Sequence, residues 1–300
     1  MRHAVSLTLI LSVLCTTLSA QFNVDRDADK GTRQSTRRKD VLASSESAYV
    51  ASKGSGNVSL TSDSRYTFAQ KWEWSTRLAS DFLIPTLTTK YMWFTDGSRI
   101  YAASKVSVAT SRPGLNFARN QGKTKAMPDS IADIPTIIEL GNEVLISFVS
   151  RGDPNCTNGE EYFILTFSLE GRMGINFNDD LPQTGYHFLA NRWSSLGSDG
   201  RYMRFKVWVD AVCNHWLAVH GGMSFFSGTF RQPFAYELTA DGEIFLTRNL
   251  TVKAGFTMSA AGYDSTASKF GILPFADVTY YFGKRKTSNS YLFDPTGRKY

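Results

Sequence analysis

From Met203 to Val212 the side chains alternate without a break. Met203, Phe205, Val207, Val209 and Ala211 fall on one parity, and Arg204, Lys206, Trp208 and Asp210 on the other. Successive strand residues point to opposite faces, so this stretch predicts a strand with one apolar and one polar face. The pattern returns after a tight Cys213-Asn214 break, with Leu217, Val219, Gly221, Met223 and Phe225 opposing Ala218, His220 and Ser224. It returns again over 234–247, from Leu250 to Met258, and from Ile272 to Phe282. Strands of about 10–14 residues, joined by alternately tight and longer connections, suit a membrane-spanning meander better than a sandwich.

The beginning of the chain agrees with export. Arg2 and His3 precede an apolar run from Ala4 to Leu18, and Ser19-Ala20 follows, which predicts a cleaved signal peptide over residues 1–20. No later stretch approaches the roughly 20 apolar residues of a spanning helix. A membrane form would therefore be a closed barrel, the other structure that satisfies its own backbone hydrogen bonds in lipid. The mildly negative mean hydropathy is that of a polar inner half averaged with an apolar outer half. Aromatic residues make up 13% of the chain and gather near strand ends, as interfacial girdles do. The net charge of +6 sits partly on the flanks, at Arg37, Arg38 and Lys39 and at Lys284, Arg285 and Lys286, and does not suggest nucleic-acid binding. Only Cys156 and Cys213 follow the signal peptide, too few for a disulfide scaffold.

Residues 21–65 are rich in Ser, Asp, Lys, Arg and Gly without apolar periodicity, which predicts a polar, flexible segment. Alternation starts at Tyr66, with Phe68, Trp72 and Trp74 on the same parity. An Asp96-Gly97 hairpin signal follows. From Arg112 to Gly141 there is no strand pattern, and a loop that long is functional or disordered. With a hinge at Glu170-Gly171, twelve strands are expected, near 66–78, 88–95, 99–110, 143–151, 160–169, 172–178, 186–194, 201–212, 215–226, 233–247, 250–261 and 271–282. A ten-strand count, and an eight-strand barrel beginning at Val144, are the alternatives. The twelve-strand count puts the short turns on one side and the 112–141 loop on the other, the asymmetry of periplasmic turns and outer loops. The barrel would occupy residues 66–282, with a periplasmic tail over 283–300.

The signal ending Ser19-Ala20-Gln21, the amphipathic meander and the closing Ala276-Asp277-Val278-Thr279-Tyr280-Tyr281-Phe282 resemble bacterial outer-membrane β-barrel proteins, especially those of Bacteroidetes type. The resemblance implies an all-β, antiparallel up-and-down transmembrane barrel in the Gram-negative cell outer membrane. It implies porin-like passage or binding of small polar solutes, with outer-membrane lipid and the barrel-assembly machinery as partners. Tyr280 and Phe282 would be the assembly signal. That class usually ends at the aromatic residue, whereas this chain continues from Gly283 to Tyr300. A non-conducting barrel that anchors partners through the 112–141 loop or the tail is the second reading, and a soluble secreted barrel or sandwich the third.

By parity the lumen-facing charges include Glu170, Arg172, Arg204, Lys206, Asp210, His220, Glu237, Asp241, Glu243, Lys253 and Asp277. Such mixed charges either pair across the lumen as a plug or line a water-filled path that selects ions. His220, Ser224 and Asp210 share a face, but residues four apart on a strand are about 13 Å apart, too far for a hydrogen-bonded catalytic pair. No zinc spacing or phosphate loop is present, so no enzyme activity, cofactor or metal is expected. Cys156 and Cys213 fall on the same side in the twelve-strand count, where a disulfide and two separate thiols are equally open.

Overall fold

The computed structural model describes residues 44–51, 53–82, 84–96, 99–110, 112, 113, 116, 136–151, 162–177, 201–212, 217–228, 235–247, 249–263 and 267–283. Twelve strands close into one antiparallel barrel. They are β1 (Gly56–Ser59), β2 (Ser64–Ala69), β3 (Trp72–Thr76), β4 (Thr86–Thr95), β5 (Ile100–Thr110), β6 (Ile137–Arg151), β7 (Tyr162–Asn176), β8 (Arg201–Val212), β9 (Leu217–Gly228), β10 (Ala235–Phe245), β11 (Leu250–Tyr263) and β12 (Ala267–Phe282). A single turn of helix, α1 (Leu78–Asp81), stands between β3 and β4. Every strand pairs with its neighbours in sequence, and β1 closes the ring on β12 from Gly56↔Phe282 to Ser59↔Thr279.

Parity decides which way each side chain points. On β8 the even residues Tyr202, Lys206, Trp208, Asp210 and Val212 are buried inside, while Met203 and Phe205 are exposed outside. Leu169, Val144, Val252, Val278 and their like extend that outer face into an apolar belt. Around β2–β4 the belt becomes aromatic, with Phe68 against Trp74 at 4.3 Å and Trp72 against Tyr91 at 4.5 Å.

Expectation and structure agree on the number of strands but not on all their identities. β1 lies upstream of Tyr66, inside the stretch that lacked periodicity. It offers a single exposed apolar residue, Val58, between the inward-facing Asn57 and Ser59. The expected strand at 66–78 is two strands, β2 and β3, turned at Lys71, which adopts φ 74° without being glycine. The expected pair at 160–169 and 172–178 is one strand. β7 runs straight through Glu170-Gly171, each residue paired with β6 and β8, so the hinge does not exist. β7 pairs directly with β8 from Met173↔Arg201, so the ring closes without the strand expected at 186–194, which lies outside the described residues. β6 starts at Ile137, within the long loop of the sequence reading.

The ladder orders also fix the two ends. Connections β2–β3, β4–β5, β6–β7, β8–β9 and β10–β11 leave one end, together with the start of β1 and the end of β12. The remaining connections leave the other end. Cys156 and Cys213 themselves lie outside the described residues, as do residues 1–43 and the tail beyond Gly283.

Candidate lumenal binding site

An eight-stranded barrel is filled by its own wall side chains, whereas twelve strands leave a wider interior. Here that space is shared by a piece of the chain and a cavity. Residues 44–50, just before β1, run inside the barrel. Ala48 packs into an apolar seat formed by Tyr101, Ala103, Leu145, Val149, Ile164, Val212 and Ala218, at the end where β1 starts and β12 stops. Tyr49 meets Tyr101 edge-on at 5.7 Å. Burying this backbone requires partners for its polar groups. The Ala48 N–H donates to Ser147 Oγ at 2.8 Å, and Lys90 Nζ donates to the carbonyls of Ser47 (3.3 Å) and Tyr49 (2.9 Å). Ser44 Oγ donates to Asp210 at 2.8 Å. The Glu46 carboxylate pairs with both Lys105 and Lys206.

Three charge networks surround this plug. On β5–β8, Glu143 receives Lys105 at 3.3 Å, Lys206 at 2.8 Å and Arg204 at 3.7 Å. Glu170 stands between Arg204 at 2.7 Å and Arg172 at 2.6 Å, and Arg172 also reaches Glu139 at 2.5 Å. On β8–β12, His220 is held between Asp210, 2.7 Å from Nδ1, and Glu243, 3.2 Å from Nε2. Trp208 Nε1 donates to Asp210 and the Tyr281 hydroxyl donates to Glu243, while Lys253 meets Asp241 at 3.2 Å. On β2–β4, Glu73 pairs with Lys90 at 2.9 Å and lies 3.9 Å from Arg65.

Above the plug lies a cavity of about 660 Å³ whose lining includes Glu46, Arg172, Arg204, His220, Glu237 and Lys253. Glu237 is buried on the inner face of β10. Asp277 does something different from lining the lumen. Its carboxylate accepts from Ser59 Oγ and from the N–H groups of Leu60, Thr61 and Ser62, and so folds the β1–β2 turn against β12. Tyr280 points outward, and Phe282 lies over Tyr66 at 6.3 Å. Both imidazole nitrogens of His220 face carboxylates rather than Ser224, so the arrangement is a buried polar bridge and not a nucleophile with its base.

The alternation could have exposed Glu139 and Glu143, which extend the inner parity of the Val144, Ile146 and Phe148 run, and Glu73, which opposes Trp72 and Trp74. Glu46 carried no such signal, because the plug is neither helix nor strand.

The carboxyl groups of Glu46 and Asp63, both outside the strands, are shifted by their surroundings. Burial pushes the Glu46 carboxyl up, but Lys105, Lys206 and Arg204 together hold it well below its usual range. Burial also raises Asp63, in the β1–β2 turn, yet the Arg77 guanidinium 2.5 Å away brings it down to about 2.

No family model matches this chain, and no curated protein matches it. Among solved structures, the crystal structure of the outer membrane channel DcaP of Acinetobacter baumannii aligns at 11% identity and a TM-score of 0.37, covering 74% of this chain and 62% of that one. A chain solved in a study of in-meso crystallization of membrane proteins aligns at 9% identity and a TM-score of 0.29, covering 82% of this chain and 89% of the other. At these scores neither likeness carries weight, and the fold rests on the barrel itself.

Proposed function

We propose that this chain is an integral outer-membrane β-barrel of porin-like type whose cup binds small polar solutes and passes them only when the plug leaves. The single observation that carries the reading is residues 44–50 seated inside a barrel that is apolar outside and charged within. An apolar belt around a paired polar lumen is the arrangement that lipid demands of a spanning barrel. The signal peptide over residues 1–20 would deliver it, and Tyr280 and Phe282 would engage the barrel-assembly machinery. The end bearing the termini and the plug would face the periplasm.

The test is planar-bilayer conductance of the full mature chain and of a variant lacking residues 44–51. The expected result is a nearly silent parent and discrete openings in the variant. A parent with steady large openings would overturn the plug. A silent variant that still shows a heat-modifiable gel shift would favour the second reading, a non-conducting structural barrel. That reading draws support from the extent to which the inner charges neutralise one another. Release of the protein by carbonate would instead favour the soluble secreted form.

A further inference from the structure

The barrel wall is not of even height. β4 to β12 contain 10 to 16 residues each, but β1, β2 and β3 contain only 4, 6 and 5. At about 3.3 Å per residue the short strands reach roughly 13–20 Å, whereas a spanning strand needs about 9–11 residues. β12 is paired with β1 only from Thr279 to Phe282. Along the rest of β12, from Ala267 to Val278, no strand covers that edge among the described residues. Yet the outer face of β12 stays apolar beyond the seam, at Val278, Ile272 and Phe270. Among the described residues the wall thus stops short at the level where the belt continues. The short strands themselves carry Tyr66, Trp72 and Trp74 outward, the residues of an interfacial girdle.

The edge is prepared for this gap. The Tyr281 N–H donates to Asn249 O, on the β11 side, so by alternation the even residues of β12 aim their N–H positions at the gap. One of those even positions is Pro274, which has no N–H to leave unpaired. The Ala276 carbonyl, on the same edge, accepts from Thr61 Oγ1 at 3.0 Å. Pro274 also spoils the edge as a template for another strand. Irregular backbone at membrane depth is tolerated where it lines a water-filled cavity, and the cavity does reach Leu273, Pro274 and Phe275 on one side of the gap and Ile84 and Thr86 on the other. The rim is apolar and exposed, with Leu60, Leu78 and Phe82, the last 84% exposed.

We infer that the gap above β1–β3 is a lateral portal through which a single-chain amphiphile enters from the bilayer, its head in the charged cup and its alkyl chain passing between Ile84 and Leu273. A polar solute alone would not need an apolar side exit. A charged cup alone would not need to meet the belt. The occupant that matches both is a molecule with a polar head and one long chain. Opposite the portal, Arg172 and Arg204 present guanidinium groups to receive the head, already oriented by Glu139 and Glu170. This deepens the cup-binding reading and rests on the barrel lying in a membrane.

The test uses the full mature chain in phosphatidylcholine vesicles with two probes, a diazirine-bearing palmitic acid and a diazirine-bearing lysophosphatidylcholine, which separate an anionic from a zwitterionic source. Crosslinks are mapped by mass spectrometry on the parent, on Leu273→Trp and Ile84→Trp, which narrow the gap, and on Val144→Trp, on the outer belt of β6 across the ring. Labelling of peptides carrying Arg172, Tyr202 or Arg204 by at least one probe is expected in the parent and in Val144→Trp, and is expected to be lost in both rim variants. Two rim variants guard against one misfolding, and each is scored only where the heat-modifiable shift is intact. Label confined to the outer belt would mean boundary lipid only and would overturn the portal. Lumenal label that survives both rim variants would mean entry from the open end and would also overturn it, as would a dimer crosslinked along the β12 edge. Release of the protein by carbonate would sink the outer-membrane reading instead, so the two failures are told apart.

Discussion

Glu46 ties the plug to the wall through Lys105 and Lys206, so its charge should set the acid limit of plug docking. A carboxylate held below its ordinary value of 4.5 stabilises fully above that pH, and the contribution drains as pH falls through the depressed value. The docked plug is therefore expected to persist from neutral pH through pH 4.5 and to loosen only in stronger acid. Conductance measured against pH checks this, and an onset near pH 6 would contradict it. Glu46→Gln should open the lumen at neutral pH, since a charge-assisted hydrogen bond is worth about 1.5–3 kcal/mol. Both lysines keep Glu143, so the barrel itself should remain folded. His220 behaves differently, because it separates two carboxylates and is only 2% exposed. His220→Ala removes the cation between Asp210 and Glu243, which keep their hydrogen bonds from Ser44, Trp208 and Tyr281, and should cost about 1.5–3 kcal/mol in urea unfolding, with His220→Gln recovering part of it. Inward-facing charges such as Lys206 and His220 were legible because alternation fixes facing. Their partners were not, because pairing depends on register across strands far apart in sequence.

The elements show where alternation stops being informative. β8 was plain in the sequence because nearly every outward position is large and apolar. β1 was hidden because Asn57 and Ser59 turn inward to hydrogen bonds, and its pairing with β12 rather than any pattern of its own makes it a strand. The turn at Lys71 lacks the Gly or Asn that marks a positive φ, so β2 and β3 merged into one. Conversely, Gly171 suggested a break that the ladder does not contain. Another glycine has a definite task. Gly222 faces Trp208 across the β8–β9 ladder, and a Cβ there would come within 2.3 Å of Val207 O and 2.6 Å of the indole. Gly222→Ala should destabilise the barrel by about 1–3 kcal/mol, read as a lower urea midpoint. Because the disturbed indole nitrogen also donates to Asp210, the loss should be smaller in a His220→Ala background than in the parent.

At the scale of the molecule, a closed barrel of twelve strands was legible because amphipathic parity and strand length act on every segment alike. The plug was not legible, since a stretch with neither period satisfies its backbone only through groups on distant strands, at Ser147 and Lys90. The short seam between β1 and β12 has one more consequence, and it concerns time rather than energy. The plug immediately precedes β1, and β1 supplies one side of the β1–β12 junction, which joins the most distant strands in sequence and should form last because its loop closure costs most. The ring therefore closes around a segment that must already be inside it. A chain whose plug cannot dock, such as the 44–51 deletion, should close faster but with a looser seam, and one with the plug intact should show a slow final phase when the gel shift is followed through refolding. If the plug gates the lumen as proposed, the step that shuts it would also be the step that completes the wall, and each molecule would leave assembly closed.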